Sequence, residues 1–184
     1  MTTSIGSASP TDPATGDAVV RVIPAVLIAA APIPAVLDTN VVLDLLLFKD
    51  RRVQVLHQAL AAHQLCWVAT EAMLRELDHV LRRPQLSAWG HSSDHLMAEA
   101  RRLCQQVPAC DDTAGPVPRC TDADDQIFID LAWRWPATLL FSRDRALLRL
   151  APRARTHGLW IGTPERWPAV PQAPQEQRRP KPPL

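Results

Sequence analysis

Residues 35–40 read Ala-Val-Leu-Asp-Thr-Asn, and this stretch decides the fold class of the chain. Its apolar run predicts a short buried strand over residues 35–38. Thr39 or Asn40 is the predicted cap of the apolar helix that follows, over residues 39–48. A strand that runs directly into a helix indicates an α/β unit.

A second stretch repeats this arrangement further along the chain. Residues 138–144 read Thr-Leu-Leu-Phe-Ser-Arg-Asp, so another predicted strand, over 138–141, ends close to an aspartate. Helices are predicted at about 53–63, 70–83, 92–106 and 126–134, a helical turn at 147–150, strands at 65–69 and 158–161, and mainly loop at 107–121. Strands that alternate with helices predict an α/β domain with a central parallel sheet.

The proline distribution predicts one domain between two proline-rich ends. The chain has 184 residues, and a single core typically serves about 100–200 residues. Twelve of the 18 prolines lie in residues 1–34 and 164–184, and such density disfavours helices and sheets. We therefore expect a flexible leader at 1–34, a folded domain at 35–167 and a proline-rich tail at 168–184.

Charge and composition exclude several classes of protein. The formal net charge of +1 excludes a strongly basic protein that coats nucleic acid and a chain dominated by an acidic tail. Arg21 and three prolines interrupt the apolar run at 18–37, so we expect neither a membrane span nor a membrane partner. The chain lacks the basic start of a signal peptide, which predicts a cytoplasmic location. The four cysteines form no CxxC pair, so we expect no zinc site.

Carboxylates stand at the predicted ends of strands and at the start of a helix. Asp38 and Asp144 follow parallel strands, and ligands of an open parallel sheet bind beyond the carboxyl ends of its strands. Residues 122–125, Asp-Ala-Asp-Asp, precede a helix that one aspartate would suffice to cap. Helical periodicity puts Glu76 at the edge of the apolar stripe of helix 70–83. A carboxylate there is costly unless it is paired or binds a metal.

Several carboxylates in one crevice repel one another, and divalent cations are the usual solution. Mg²⁺ and Mn²⁺ prefer oxygen ligands and therefore suit Asp and Glu. Such an ion activates water and stabilises the charge on a phosphoryl group. The acids thus predict metal-dependent hydrolysis of a phosphodiester.

The chain carries a series of motifs in a fixed order. They are Asp38-Thr39-Asn40, Glu76-Leu77-x-x-Val80-Leu81-Arg82-Arg83-Pro84, Cys120-Thr121-Asp122-Ala123-Asp124-Asp125 with Phe128, Ser142-Arg143-Asp144, and Thr163-Pro164-Glu165-Arg166. In this order and spacing they resemble the PIN domain, over about residues 35–167. The resemblance is to toxin components of type II toxin–antitoxin systems, relatives of the virulence-associated protein C toxins.

That resemblance implies a three-layer α/β fold, with a central parallel sheet and helices on both faces, and a Mg²⁺- or Mn²⁺-dependent endoribonuclease. The acids that it assigns to catalysis and metal binding are Asp38, Glu76, Asp125 and Asp144. Asp122 and Asp124 would be auxiliary ligands or loop-capping residues. Asn40 and Ser142 match polar positions that hydrogen-bond the acids. The resemblance also implies an RNA substrate, an antitoxin that inserts a segment into the acidic crevice, and a homodimer.

Two questions stay open at the level of the sequence. Arg143 and Arg145 begin a run of arginines that continues to Arg155. These side chains either bind an RNA backbone beside the metal or form an ordinary solvated face. The competing function is a module that binds RNA or a protein without turnover, and the intact acid set favours the enzyme.

Overall fold

The computed structural model describes residues 31–87, 89–109 and 117–169. These residues contain a five-stranded parallel sheet with the strand order β3-β2-β1-β4-β5. The strands are β1 (Ile33–Leu37), β2 (Leu65–Ala69), β3 (Cys104–Gln106), β4 (Leu139–Phe141) and β5 (Trp160–Gly162). The predicted leader and tail lie largely outside the described residues, so the domain boundaries stay predictions.

Helices connect the strands. They are α1 (Thr39–Leu46), α2 (Gln54–Ala61), α3 (Glu71–Leu81), α4 (Pro84–Ser87), α5 (Ser93–Leu103), α6 (Gln126–Arg134), α7 (Arg145–Leu148) and α8 (Ala151–Arg155), with 3₁₀ turns at Arg51–Val53 and Pro164–Ala169. Right-handed crossovers place helices on opposite faces when the chain moves in opposite directions along a sheet. The predicted α/β fold, with a parallel sheet and helices on both faces, is therefore confirmed.

The order of the strands has a switch point between β1 and β4. From β1 the chain moves outward through β2 to β3, and it then returns to β4 on the other side of β1. Leu37 pairs with Phe141, and Phe141 pairs with Gly162, so the carboxyl ends of β1, β4 and β5 are aligned. A crevice at a switch point is the usual ligand site of such a sheet.

The core explains why these helices form. Helix α3 turns Met73, Leu74, Leu77 and Leu81 inward, and each buried side chain of this size stabilises the fold by roughly 1.5–3 kcal/mol. The helix ends at Leu81 rather than at residue 83.

None of the described helices is long and apolar enough to cross a bilayer.

Several predicted element boundaries are wrong. The predicted cap of α1 was Thr39 or Asn40, but Asp38 is the N-cap, because its carboxylate accepts the Val41 amide. Residues 104–106 were expected to continue a helix; they form β3, a short edge strand whose glutamines are exposed. Polar edge strands lack the alternation that marks a half-buried strand, so periodicity extended the helix through them.

Candidate active site

Backbone hydrogen bonds fix the two strand ends that carry aspartates. The Asp38 amide donates to the Phe141 carbonyl at 3.0 Å, and the Ser142 amide donates to the Gly162 carbonyl at 3.0 Å. These bonds place Asp38 and the residues after β4 on adjacent strands at one edge of the sheet. The switch point of the sheet therefore lies between two predicted site aspartates, Asp38 and Asp144.

Asp38 is the most deeply buried of the acids, with 2% of its surface exposed. One oxygen, Oδ1, accepts the Val41 amide at 2.9 Å and caps α1. Burial raises the pKa of Asp38, although the Ser142 hydroxyl and the amides of Val41, Asn40 and Arg143 lower it. The other oxygen, Oδ2, is buried and has no hydrogen bond of good geometry among the described residues. A buried carboxylate oxygen without a donor is costly unless a ligand completes it.

Asp144 repeats the role of Asp38 at the next strand. Its Oδ1 accepts the Ala146 amide at 2.5 Å and caps α7. The Asp144 amide in turn donates to the Ser142 hydroxyl at 2.8 Å. Ser142 is fully buried and so supports the backbone on which Asp144 is carried.

Asp125, directly before α6, faces the other acids. Burial, followed by the negative charges of Asp144, Asp122 and Asp38, together raise the pKa of Asp125 to about 7. Its carboxyl group also shares a hydrogen bond with that of Asp144. A carboxyl group whose pKa is raised this far beside other acids indicates a site where negative charge is concentrated without compensation.

Asp122 and Asp124 form the outer part of this loop. The Asp122 carboxylate accepts the Asp124 amide at 3.0 Å, which closes a local turn. Both side chains belong to exposed residues. The turn supports the loop-capping alternative for Asp122, while the charge of Asp122 acts on Asp125.

Glu76 enters from α3 and is half-buried. The Thr39 hydroxyl donates to its Oε1 at 3.1 Å. Burial raises the pKa of Glu76, and so do the charges of Asp124 and Asp38, whereas Thr39 and Arg83 lower it. Helical periodicity had placed Glu76 at this edge. Thr39 was missed, because its motif position next to Asp38 suggested only a helix cap.

The structure thus brings one set of acids together, which we call the acid cluster: Asp38, Glu76, Asp122, Asp124, Asp125 and Asp144. Within residues 31–87, 89–109 and 117–169, no three His, Cys, Asp or Glu side chains are already gathered tightly enough to hold a metal ion. The donor chemistry nevertheless fits a hard cation. The candidate ligands are all carboxylates, Asp38 Oδ2 has no hydrogen-bond partner among the described residues, and burial and negative neighbours raise the pKa of Asp125.

The polar and basic residues predicted for the site differ in their surroundings. Asn40 is exposed, and its backbone amide, rather than its side chain, acts on Asp38. Arg145 is exposed at the start of α7. Arg143 is largely covered, and its guanidinium contacts Asp44 and Glu165. The assignment of Arg143 and Arg145 to RNA binding stays a prediction.

A cavity of about 470 Å³ lies elsewhere, between the end of α1, the start of α2 and α5. Its lining includes Leu45, Lys49, His57 and Glu99, and none of the acid cluster. Size alone does not mark the reactive site here, because an open edge lined by carboxylates forms no enclosed cavity. The acid cluster has perturbed acids and an unpartnered oxygen, so we assign the chemistry to it.

Comparison with known proteins gives one clear finding. A family model described as PIN domain matches residues 34–146, which is more than half of the chain and includes the whole acid cluster. No curated protein matches the chain. The matched range ends before β5 and the 3₁₀ turn at Pro164–Ala169.

Proposed function

Since this chain belongs to the PIN-domain family, we propose that it is a Mg²⁺- or Mn²⁺-dependent endoribonuclease that serves as the toxin of a toxin–antitoxin pair. PIN domains are generally nucleases and generally use divalent metal ions. The observation that carries the proposal is the uncompensated charge of the acid cluster, above all the buried and unpartnered Oδ2 of Asp38.

The residues of the acid cluster would divide the work. Asp38, Asp125, Asp144 and Glu76 would hold the cation, with Asp122 and Asp124 at the rim. When bound, the ion supplies an activated water and stabilisation of charge on the phosphoryl group. Asp125, whose pKa is raised to about 7, would be ionised when it binds the cation. The capping bonds of Asp38 and Asp144 keep their side chains oriented before the ligand arrives.

RNA is the substrate that we propose, and the neighbouring basic surface supports this choice. Arg145, Arg149, Arg153 and Arg155 are exposed along α7 and α8, directly after Asp144. Phosphate contacts from such side chains supply most of the affinity for a nucleic acid. The near-neutral total charge of the chain therefore hides a separation of charge. The acids would attract the cation, and the neighbouring arginines would attract the RNA backbone.

The toxin role extends the proposal to partners and location. An antitoxin with a cationic segment would neutralise the acid cluster and block access to it. We expect a short reading frame next to the gene to encode this partner, a homodimer of the toxin, and a cytoplasmic location. Co-purification of the adjacent gene product tests the antitoxin, and sedimentation analysis of the purified chain tests the dimer. An orphan gene would weaken the toxin role but not the nuclease.

RNA cleavage with Mn²⁺ tests the enzyme directly. We expect the wild type to cleave, and we expect Asp38→Asn to lose at least about 1,000-fold in rate because it removes a central ligand charge. The exposed Asp94→Asn variant removes one surface charge at the start of α5 and should stay within twofold of the wild type.

One outcome would contradict the proposed enzymatic activity. If the wild type and Asp38→Asn are equally inert while both bind RNA, the chain is a binding module without turnover. Sequencing the cleavage products of an active wild type would then identify the RNA that is cut.

A further inference from the structure

Arg143 lies in the chain between two predicted site residues, Ser142 and Asp144, but its guanidinium contacts the carboxylates of Asp44 and Glu165. Its Nε donates to Asp44 Oδ2 at 2.7 Å, and its Nη1 donates to Glu165 Oε1 at 2.5 Å. The side chains are 23% exposed for Arg143, 14% for Asp44 and 33% for Glu165. We call Asp44, Arg143 and Glu165 the Arg143 cluster.

The Arg143 cluster joins elements that are far apart in the sequence. Asp44 lies on α1, the helix that Asp38 caps. Glu165 lies in the 3₁₀ turn after β5, which Trp167 anchors by packing on Phe141 at a ring-centroid distance of 6.3 Å. Arg143 therefore ties the turn of Asp144 both to the helix of Asp38 and to a segment beyond the range matched by the family.

This connection matters because the acid cluster repels itself. The carboxyl groups of Asp38, Asp125 and Asp144 lie on separate elements, and their repulsion when ionised acts to separate those elements. Paired, partly buried charges hold their geometry better than exposed ones, since their hydrogen bonds are charge-assisted and less screened. The planar guanidinium can satisfy two carboxylates in different directions, whereas a lysine offers a single charged point.

We infer that Arg143 is a positioning residue, which fixes the Ser142–Asp144 turn relative to α1 and does not bind RNA phosphate. Its partners Asp44 and Glu165 share this role. The inference rests on the proposed metal-dependent function only for its consequence, the affinity for the cation. The fixed turn itself exists in the protein without any ligand.

Amide hydrogen exchange tests the fixed turn without metal or RNA. The Asp144 amide donates to Ser142 and the Ala146 amide donates to Asp144, so their exchange reports the geometry of the turn. In Arg143→Met we expect both amides to exchange at least about tenfold faster, after correction for intrinsic rates. The Val68 amide in β2 serves as an internal control for global unfolding. Arg145→Met should change neither amide by more than twofold.

Binding measurements test the consequence. By calorimetry, Arg143→Met should bind Mn²⁺ about 10–100-fold more weakly than the wild type, as expected for loss of a residue that orients ligands. Its RNA affinity in EDTA should stay within twofold, whereas Arg145→Met should lose RNA affinity and keep its Mn²⁺ affinity. The milder Glu165→Gln replaces Arg143→Met if the latter does not fold, with the same direction of effects.

The outcomes distinguish failure of the positioning role of Arg143 from failure of the proposed metal-dependent function. Unchanged exchange at Asp144 and Ala146, together with weakened RNA binding in Arg143→Met, would overturn the positioning role and restore a phosphate contact. Faster exchange in a protein whose wild type binds no Mn²⁺ would leave the positioning role intact and contradict the proposed metal-dependent function instead.

Discussion

The acid cluster and the Arg143 cluster lie at the same edge of the sheet, and they use the same helix in opposite ways. Asp38 caps α1 and faces other carboxylates, with one buried oxygen that has no donor among the described residues. Asp44, further along that helix, is paired with Arg143 at 2.7 Å. One region concentrates like charge, and the other pairs opposite charges.

The difference indicates which acids serve stability and which serve chemistry. The pairing of Asp44 lowers the free energy of the folded chain. The burial of Asp125 and its crowding with Asp38 and Asp144 raise that free energy, in agreement with the raised pKa of Asp125. Proteins retain such costly arrangements mainly where a ligand relieves them. Substitutions in the two regions should therefore change stability with opposite signs.

The largest expected effect is in the acid cluster. Asp125→Asn should lower Mn²⁺-dependent RNA cleavage about 100-fold, because a ligand charge is lost. The same variant should be more stable than the wild type in EDTA, with a Tm higher by a few degrees at pH 8, because repulsion is relieved. Cleavage assays and thermal melts with EDTA measure the two effects. A variant that loses both activity and stability would show that Asp125 is mainly structural.

The pH dependence of the stability gained in Asp125→Asn gives a second measurement on Asp125. Its pKa is raised from 3.8 to about 7, so the folded chain binds more protons than the unfolded chain between these values. The contribution of Asp125 to stability is complete below about pH 4 and is lost as the pH rises through about 7. The stability difference between Asp125→Asn and wild type, measured by urea unfolding, should grow over that range. A constant difference would contradict the raised pKa.

In the Arg143 cluster, removal of an acid should destabilise the folded chain instead of stabilising it. Asp44→Asn should lower the free energy of unfolding by about 1–2 kcal/mol, because a partly buried arginine loses a charged partner. Glu99→Gln removes an acid from an exposed pair with Arg102 at 3.6 Å and should cost less than about 0.5 kcal/mol. Urea unfolding of both variants checks this. Equal costs would mean that the Arg143 cluster is an ordinary surface arrangement.

The smallest effect concerns Thr39, which connects α1 to Glu76. Thr39→Val keeps the shape and removes the hydroxyl that donates to Glu76 Oε1. We expect cleavage to fall roughly three- to tenfold, in line with a hydrogen bond to a charged group of about 1.5 kcal/mol or somewhat less. Thr39→Ser keeps the donor and should restore most of the activity. Equal loss in both variants would indicate a packing effect of the methyl group.

Much of the fold could be predicted from local patterns. The strands β1, β2 and β4 are apolar and buried, and the helices between them carry apolar stripes, so periodicity found both kinds of element. The edge strand β3 could not be found this way, because Gln105 and Gln106 are polar and exposed and give no apolar alternation. The strand order depends on contacts between distant segments, and no local pattern encodes it.

The acids of the site could be predicted from the sequence, but the residues that hold them in position could not. Asp38 and Asp144 follow strands, and this position is visible in the sequence. The partners of Arg143 were not visible, since Asp44 and Glu165 are 99 and 22 residues away along the chain. The arginine therefore suggested an RNA contact. The same limit applies to Thr39, whose bond to Glu76 spans 37 residues.

Calorimetric titration with Mn²⁺ at pH 8 tests most directly whether the acid cluster is a cation site. The comparison uses the wild type, Asp38→Asn and Asp44→Asn, which change one acid in each region on the same helix. We predict that the wild type binds Mn²⁺, that Asp38→Asn binds at least about 100-fold more weakly, and that Asp44→Asn weakens binding about tenfold at most. A wild type that binds no Mn²⁺, or an Asp38→Asn variant that binds it as tightly as the wild type, would contradict the account.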